Sequence, residues 1–391
     1  MSSLLEKFKR LDWIMLSILV LFMIFSTIVI YSATVDNQLF GPQKLYYDNI
    51  RNYVIGFVVL IGAALVDYRW LGKLSIFLYI FGILLLVGIF FFGTEINNAR
   101  GWYQLPIAAF SFQPAELMKL LLILLIAHML AKSEGKTLRI FKEVVPIGVV
   151  VLVPFVLVLM QPDLGNAIIY LVIMLGMLWI GNIRYLHVLI GLCVFIVSLF
   201  LFLNLYEKHH DEIKQFFEEH KKGHWVKRID SYLNPEEADP NASYQLRKSM
   251  TAIGSGRFSG DGFLQGNSVH NNHIPYAYSD AIFVVIAEEF GFLGSSIVLL
   301  VYFLMLYRMI ITSIHSSTFF GSYIIIGIVS MFVFQIFENI GMLLGIMPIT
   351  GITLPFISYG GTSLLINMLA LGIVMSVQIH RDRDDQSDPA F

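Results

Sequence analysis

Long apolar stretches recur along this chain, and short polar segments separate them. About 20 consecutive apolar residues form a helix that can cross the hydrocarbon core of a bilayer, so each stretch predicts a transmembrane helix. The predicted spans are residues 13–34, 50–66, 74–92, 114–131, 144–160, 165–181, 185–205, 281–307, 321–345 and 359–379. The pattern predicts an all-α integral membrane protein of about ten transmembrane helices, folded as one polytopic domain over residues 1–391.

One segment departs from this pattern, because residues 206–280, between the seventh and eighth predicted helices, are long and polar. Loops of that length in compact domains are usually functional or disordered. At its start, Ile213, Phe216 and Phe217 recur at helical spacing among charged residues. We therefore expect an amphipathic surface helix over residues 207–222. The prolines and glycines that follow predict irregular backbone.

Basic residues set the predicted orientation. An even number of spans places both termini on one side, and short cytoplasmic loops carry an excess of Lys and Arg. The terminal side holds Lys7, Lys9, Arg10, Arg69, Lys73, Lys132, Lys136, Arg139, Lys142, Arg184, Arg308, Arg381 and Arg383. The short loops of the other side hold only Lys44, Arg51 and Arg100. We predict that both termini are cytoplasmic and that residues 206–280 form an extracytoplasmic loop.

Composition agrees with a membrane environment. Hydrophobic residues make up 57% of the chain and charged residues 14%, against about 25% charged residues in ordinary soluble domains. The formal net charge of -2 gives no broad basic face, so nucleic-acid binding is excluded. A single cysteine, Cys193, excludes an internal disulfide and a cysteine-based metal site.

Two charged residues open the fourth predicted span. Glu116 and Lys119 are three positions apart and therefore share one face of a helix. A charge at the bilayer centre costs about 2.5–3.5 kcal/mol even on the lenient insertion scale, so such residues need a reason. Two interpretations stay open: an ion pair that neutralises both charges, or a substrate-binding role in a pocket.

Asp280 lies where the long outer loop enters the eighth predicted span. An aspartate at a helix start predicts an N-cap, because its oxygens accept hydrogen bonds from the first free amides. A carboxylate at the membrane rim is also partly desolvated, which can raise its pKa enough for general-base catalysis. Capping and catalysis are compatible, and spacing alone leaves both open.

Further polar residues occur at predicted membrane edges. Glu288 falls near the face of Asp280 on the same helix, since a helix turns 100° per residue. Glu338 and Asn339 lie in the ninth span, and Asp163 lies between the fifth and sixth. Membrane-edge ionisable groups of this kind predict a shared polar cavity. More than one of them is expected to line it, with Glu338 a candidate for substrate binding.

The stretch 244–263 combines cations with glycines. Its glycines miss the dinucleotide-binding spacing by one residue and no P-loop Lys-Ser/Thr follows, so nucleotide binding is not expected. Glycines still permit close backbone approach to an anion. The candidates for holding phosphates, against a plain solvated loop, are Arg100, Arg247, Lys248 and Arg257.

Six histidines crowd the polar loop, and His220 and His224 have the i, i+4 spacing of a metal pair. No glutamate stands between them as in HExxH, so we expect solvated or headgroup-facing histidines and no metal site. Trp102 is either an interfacial belt residue or a substrate contact. No redox cofactor is expected, and assistance by a divalent cation stays open.

Five motifs together resemble one family. They are Asn98-Ala99-Arg100-Gly101-Trp102; Gln113-Pro114-Ala115-Glu116 with Lys119; Gln161-Pro162-Asp163-Leu164-Gly165; Pro275 with Ser279-Asp280 and Glu288-Glu289-Phe290-Gly291; and Pro348-Ile349-Thr350-Gly351 with Leu354-Pro355-Phe356-Ile357-Ser358-Tyr359-Gly360-Gly361-Thr362-Ser363. In this order they resemble the SEDS family of RodA, FtsW and SpoVE, with most likeness to the RodA branch.

The resemblance implies a ten-helix enzyme in the cytoplasmic membrane of a bacterium. Members of the family polymerise lipid II into glycan strands at the outer face, and the RodA branch serves cell elongation and shape. The expected partners are lipid II, the nascent glycan strand, membrane lipids and a class B penicillin-binding protein. The catalytic aspartate of the family matches Asp280, and Trp102, Glu116 and Lys119 match other positions associated with activity.

The expected mechanism is inverting glycosyl transfer with Asp280 as base. Lys119, Arg100 and Arg257 are the candidates for stabilising the departing diphosphate, because opposing charge placed where negative charge develops lowers the barrier. Two other functions remain open. A flippase for lipid-linked saccharides would use the same cavity without a base, and a membrane scaffold would perform no chemistry.

Overall fold

The computed structural model describes residues 4–35, 45–96, 99–105, 110–219, 240–271 and 274–381. The helices are α1 (Leu4–Lys9), α2 (Trp13–Thr34), α3 (Leu45–Leu65), α4 (Arg69–Phe92), α5 (Pro114–Ala131), α6 (Val145–Met160), α7 (Leu164–Ile180), α8 (Tyr185–Lys208), α9 (His210–Glu219), α10 (Pro240–Ser255), α11 (Asn267–His270), α12 (Ile282–Ile314), α13 (Phe319–Leu343) and α14 (Gly361–Ile379). The strands are β1 (Thr94–Ile96), β2 (Ala99–Leu105) and β3 (Phe110–Phe112).

The predicted helical membrane architecture is confirmed. Within the described residues, nine helices are long and apolar enough to cross a membrane, and α7 is a shorter apolar helix of 17 residues. A helix occupies each of the ten predicted intervals, and α5 has the predicted bounds, Pro114–Ala131. A π-helical turn, Ile140–Val144, precedes α6 and extends its span.

The centre of the fold is formed by α5 and α14. A helix that is apolar on all sides must be buried on all sides, and 78% of the residues in each of these two spans are buried. Helix α5 packs against α4, α7 and α13, and α14 packs along α3. In contrast, none of the described residues in the most apolar 18-residue window of α8 is buried. The most buried part of the helical bundle is therefore this central pair.

A small antiparallel sheet between α4 and α5 was not predicted. Strand β2 pairs with β1 on one side and with β3 on the other, so that Thr94 opposes Trp102. The Tyr103 hydroxyl donates to the Leu85 carbonyl oxygen at 2.8 Å and ties the sheet to α4. Two of the three strands have only three residues, too few for alternation to be visible in sequence. The sheet holds Trp102 beside the start of α5.

Helix α12 contains a kink that the sequence analysis missed. Gly291 has φ 64° and ψ −160°, a conformation open in practice only to glycine. It separates a buried first segment from the part that runs to Ile314, seven residues beyond the predicted end of this span. The second segment has about 23 residues and is about 35 Å long at 1.5 Å per residue. It therefore suffices to cross the membrane alone.

The glycine-rich loop after α10 packs against this kink. A Cβ added at Gly256 would lie 1.9 Å from the Ala287 carbonyl oxygen, and one at Gly260 would lie 2.1 Å from that of Glu289. The amide of Asp261 donates to the Glu288 carbonyl oxygen at 2.9 Å. The close backbone approach predicted for these glycines is thus to the backbone of α12. The predicted approach to an anion is wrong for this pair.

The polar loop is more ordered in its second part than the sequence indicated. The predicted surface helix over 207–222 corresponds to α9, whose described part ends at Glu219. Irregular backbone was expected after it, but α10 begins at Pro240, a position where a helix tolerates proline because the first amides need no partner. His220, His224 and His273 lie outside the described residues.

Candidate active site

A polar cavity of about 630 Å³ opens at one end of the helices. Six parts of the chain meet there: the sheet, the starts of α5, α7 and α14, the segment before α12 and the loop between α13 and α14. Trp102, Glu116, Asp163 and Asp280 all contribute to the lining. The prediction of a shared polar cavity is therefore met by side chains from distant parts of the sequence.

Asp280 lines this cavity without capping the helix that follows. The N-cap of α12 is Ala281, and no side chain accepts a hydrogen bond there, so the predicted capping role of Asp280 is wrong. Its Oδ1 atom is buried and has no hydrogen-bond partner among the described residues. Desolvation by burial raises the pKa of Asp280 to about 6. The carboxylate is thus available to a ligand.

Contacts to the backbone hold Asp280 in place. The Asn339 side-chain amide of α13 donates to the carbonyl oxygens of Asp280 and Ile352, each at 2.7 Å. The hydroxyl of Ser358 donates to the Ser279 carbonyl oxygen at 2.6 Å. These bonds go to the backbone and fix the position of Asp280, while its Oδ1 atom keeps no hydrogen-bond partner among the described residues.

The turn that supplies Ser358 is itself fixed from three helices. Phe356 has φ 63°, a left-handed conformation that costs energy for a bulky residue and persists only when its surroundings enforce it. Three hydroxyls supply that enforcement by donating to consecutive carbonyl oxygens: Tyr302 to Pro355, Tyr53 to Phe356 and Ser26 to Ile357. The turn thereby connects α2, α3 and α12 to the Asp280 segment.

Glu116 and Lys119 form a buried ion pair. The Lys119 Nζ atom lies 2.8 Å from the Glu116 Oε2 atom, and the lysine side chain is 0% exposed. Glu116 lines the cavity and Lys119 does not. The interpretation as a neutralising ion pair therefore applies to Lys119. The interpretation as a pocket residue stays open for Glu116, which also borders the cavity.

Asp163 also lines the cavity, and both of its oxygens are already bonded. Its Oδ1 accepts from the Asn166 amide at 3.1 Å and so caps α7. Its Oδ2 accepts from the side-chain amides of Asn166 at 2.8 Å and Gln113 at 2.9 Å. Desolvation raises the pKa of Asp163, although the hydrogen bonds from Asn166 oppose the shift. This carboxylate is a structural acceptor.

Two predicted acidic residues lie outside the cavity lining. Glu338 is 0% exposed within α13, so the expectation that it contacts substrate is not met. Glu288 accepts from the amides of Ser268 at 2.8 Å and Val269 at 3.3 Å and thereby stabilises α11. The expectation that Glu288 shares the cavity with Asp280 is therefore not met, because its carboxylate is bonded to α11 instead.

None of the predicted phosphate-binding cations lines the cavity. The Arg100 Nε atom donates to the Gly93 carbonyl oxygen at 2.8 Å, and Arg257 is exposed on the loop against the α12 kink. Arg247 and Lys248 lie in α10, of which only Gln245 reaches the lining. Across the described residues, the lining contains no Lys or Arg. The expectation that Arg100 and Arg257 contact a diphosphate inside it is therefore corrected.

Helix N-termini supply the positive potential that these cations do not. Helices α5, α7 and α14 all begin at the cavity, and the N-terminus of a helix carries about +0.5 elementary charge. At α14 the N-cap is Gly360, without a side-chain cap, so the amides of Gly361, Thr362 and Ser363 have no acceptor within the helix. Sequence analysis missed this site, although Gly360-Gly361 before an apolar run was its signal.

A metal centre has no obvious protein ligands here. Among the residues that the structure describes, no group of three or more His, Cys, Asp or Glu side chains is arranged to hold a metal ion. The His220 and His224 pair falls outside the described ranges.

Comparison with known proteins covers nearly the whole chain. Residues 12–383 match the FtsW, RodA and SpoVE family model, described as cell cycle protein. Stage V sporulation protein E of Bacillus subtilis is 31% identical over 375 residues, covering 94% of this chain and 96% of that protein. Peptidoglycan glycosyltransferase MrdB of Escherichia coli K12 is 32% identical over 380 residues, covering 95% and 94%.

Two solved structures share the fold. A chain of a peptidoglycan synthase complex, reported for its coordination of polymerisation and crosslinking, superposes with a TM-score of 0.77 at 27% identity, covering 96% of this chain and 99% of that one. The rod shape determining protein RodA of Thermus thermophilus gives a TM-score of 0.66 at 25% identity, covering 95% and 97%. The resemblance inferred from the motifs is confirmed, and the chain belongs to the FtsW, RodA and SpoVE family, the SEDS family.

Proposed function

We propose that this chain is a peptidoglycan glycosyltransferase that polymerises lipid II into glycan strands, with Asp280 as its general base. The observation that carries the proposal is the buried, unpartnered Asp280 oxygen in the polar cavity. Relatives over nearly the full length are named peptidoglycan glycosyltransferases. A base and a cavity for sugars are what such a reaction requires of the protein.

In the proposed reaction, Asp280 takes the proton from an acceptor sugar hydroxyl. The acceptor oxygen forms a bond to the anomeric carbon of the donor, and the bond from that carbon to undecaprenyl diphosphate breaks with inversion. A base works best when its pKa lies near the operating pH, and the pKa of Asp280, raised to about 6, meets that condition. Trp102 offers a flat apolar surface to a sugar ring.

We infer that the departing diphosphate binds at the start of α14. The free amides of Gly361, Thr362 and Ser363 lie in the cavity lining, where a helix N-terminus favours anions. Fixed donors at the point where negative charge develops lower the barrier. Lys119 contributes only through Glu116, because its side chain is 0% exposed behind that residue. Glu338 acts from behind the lining, beside the Asn339 that holds Asp280.

The proposed orientation places the cavity outside and both termini in the cytoplasm of a bacterium. At the end of the helices opposite the cavity, the basic residues include Arg69, Lys136, Arg139, Arg308 and Arg381, as the positive-inside rule requires of the cytoplasmic side. Lipid II and the growing strand would then enter from the outer leaflet. Elongation and shape is the role proposed for this chain.

The proposed partner is a class B penicillin-binding protein. A structural relative belongs to a peptidoglycan synthase complex in which polymerisation and crosslinking are coordinated. A polymerase that releases glycan at the outer face needs a crosslinking activity on the same side. Exposed apolar faces of the helices leave room for a transmembrane partner, as on α8.

The test is polymerisation by the purified protein in detergent or vesicles containing lipid II. Polymer should form with the wild type and with Asp261→Asn, a control at an exposed aspartate on the outer loop. It should be lost with Asp280→Asn. If no variant polymerises and wild type instead moves lipid II between leaflets of sealed vesicles, the chain is a flippase. Neither activity in a well-folded protein would favour a scaffold.

A further inference from the structure

Three tyrosines line one part of the cavity and come from two segments of the chain. Tyr276 and Tyr278 lie in the segment before α12, and Tyr359 lies just before the start of α14. The ring centroids of Tyr276 and Tyr278 are 6.5 Å apart, and those of Tyr278 and Tyr359 are 5.9 Å apart. The three rings therefore form one continuous aromatic surface, the tyrosine surface.

Main-chain hydrogen bonds hold the tyrosine surface in place. The Ser279 amide donates to the Tyr276 carbonyl oxygen at 2.8 Å, and the Tyr359 amide donates to the Tyr278 carbonyl oxygen at 3.0 Å. Because both bonds join backbone groups, they position the rings without occupying them. A surface that is fixed before a ligand arrives loses little conformational freedom on binding.

The backbone of Tyr276 is strained. Its φ is 53°, in the left-handed region that a bulky residue enters only at a cost in energy. Its side chain is nevertheless 45% exposed, so full burial of the ring does not compensate for that cost. Strained residues of this kind cluster at binding sites. The conformation of Tyr276 places an exposed aromatic ring in the cavity lining.

The tyrosine surface extends from the reacting groups to the opening of the cavity. Burial raises the pKa of Tyr278 to about 12, and the neighbouring Tyr276 and Asp280 groups add to this shift, so the Tyr278 ring lies close to the proposed base. Tyr359 adjoins Gly360, the N-cap of α14, where the diphosphate is proposed to bind. Tyr276 is exposed, whereas Tyr278 and Tyr359 are half-buried. The surface therefore reaches the opening at Tyr276.

We propose that the tyrosine surface binds sugar rings of the glycan strand as the strand leaves the cavity, an inference that rests on the proposed function. A pyranose ring has an apolar face of C–H groups that packs against an aromatic ring. Tyrosine also carries a hydroxyl, so it suits a ligand that is apolar on its faces and polar at its edges. A strand that stays in contact with this surface remains bound between additions. The tyrosine surface therefore makes polymerisation processive and lengthens the product.

The test is an NMR titration, read by saturation-transfer difference, of the full-length protein with chitohexaose, a soluble β-1,4-linked hexamer of N-acetylglucosamine. The wild type should bind the hexamer saturably and more tightly than the monosaccharide. Tyr276→Asn removes the ring while tolerating the left-handed backbone. It should weaken binding about three- to tenfold, the size of one lost aromatic contact, and shorten the glycan made from lipid II. Tyr276→Phe should restore most of the affinity and length. Tyr185→Asn, at an exposed tyrosine outside the lining, should leave both unchanged.

The outcomes separate this inference from the proposed function. Chitohexaose binding that depends on Tyr276, in a wild type that makes no polymer, would support the tyrosine surface and overturn the polymerase. Polymerisation without saturable binding of chitohexaose would overturn the tyrosine surface alone, and it needs no variant if Tyr276→Asn fails to fold. Equal affinity for hexamer and monosaccharide would do the same, as would equal losses in Tyr276→Asn and Tyr185→Asn. Unchanged binding and product length in folded Tyr276→Asn would make Tyr276 an interfacial belt residue.

Discussion

The carboxylates on two walls of the same cavity differ in their hydrogen bonding. On one wall, Asp280 is held by its backbone through Asn339, and its Oδ1 atom has no partner. On the other wall, Asp163 accepts three hydrogen bonds and Glu116 is paired with Lys119. All three carboxylates lie near helix N-termini, so the helix dipoles do not explain the difference between them. The difference lies in whether the side chain or the backbone carries the structural contacts.

This difference separates chemistry from support. A carboxylate whose oxygens already bind protein donors loses those bonds if it takes a proton from a substrate, so it is a poor base. A carboxylate positioned by its backbone can change protonation state without disturbing the structure. Asp280 is of the second kind, because the Asn339 amide and the Ser358 hydroxyl donate to the carbonyl oxygens of Asp280 and Ser279, while the Asp280 Oδ1 atom has no partner among the described residues.

The largest expected effect comes from exchanging the two aspartates for asparagine one at a time. Asp280→Asn should reduce polymerisation by about 10²- to 10⁴-fold, the usual contribution of a general base, without loss of folding. Asp163→Asn should retain most activity, because asparagine caps a helix about as well as aspartate. Rates from purified protein and lipid II, with thermal unfolding as control, measure both. Equal losses in the two variants would break the comparison.

The next largest effect is expected on stability, from the ion pair between Glu116 and Lys119. Lys119→Met should destabilise the fold by about 3–5 kcal/mol, because it leaves the Glu116 carboxylate buried without its partner. Adding Glu116→Gln removes both charges and should restore folding and much of the polymerisation, since Lys119 lies outside the lining. Unfolding curves and polymer yield test this. A stable but inactive double variant would return Lys119 to a direct role with the diphosphate.

The start of α14 provides a smaller effect that tests the diphosphate site. Gly361→Pro removes one amide donor at the first helical position, where proline is tolerated, and Gly360 before it is already extended. Loss of a hydrogen bond to a charged group costs about 1.5–3 kcal/mol, or about 10- to 100-fold in rate. Gly361→Ala keeps the amide and is the matched control. If alanine is as harmful as proline, the amide is not the cause.

The transmembrane helices could be predicted because each has a long local signal. The α5 bounds follow from Pro114 and an apolar run that ends before Lys132. The β-sheet could not be predicted because two of its three strands have only three residues. The Gly291 kink could not be predicted because it depends on Gly256 and Gly260 from a distant loop. Local pattern therefore specifies the helices, while contacts between distant segments specify where they bend.

In the cavity, sequence identified acidic residues more reliably than their partners. Acidic residues at membrane edges are conspicuous, and Glu116, Asp163 and Asp280 do line it. The basic residues chosen as candidates for binding the diphosphate lie outside the cavity lining. Their sequence does not reveal contacts such as the hydrogen bond from Arg100 to the Gly93 carbonyl oxygen. Backbone amides at the start of α14 leave no side-chain signal except the glycine pair. The positive part of the site had to come from the structure.

The smallest expected effect is in the pH dependence of polymerisation, which distinguishes Asp280 from Asp163 most directly. Burial raises the pKa of Asp280 to about 6, and a base must be deprotonated to act. Activity should therefore be nearly full at neutral pH, fall to about half at pH 6 and drop about tenfold for each further unit of acidity. Asp163→Asn should keep the same midpoint, because that carboxylate takes no proton from substrate. A midpoint near 4 would show that Asp280 is hydrated as an ordinary surface carboxylate, and a midpoint that moves in Asp163→Asn would place the titrating group on the opposite wall.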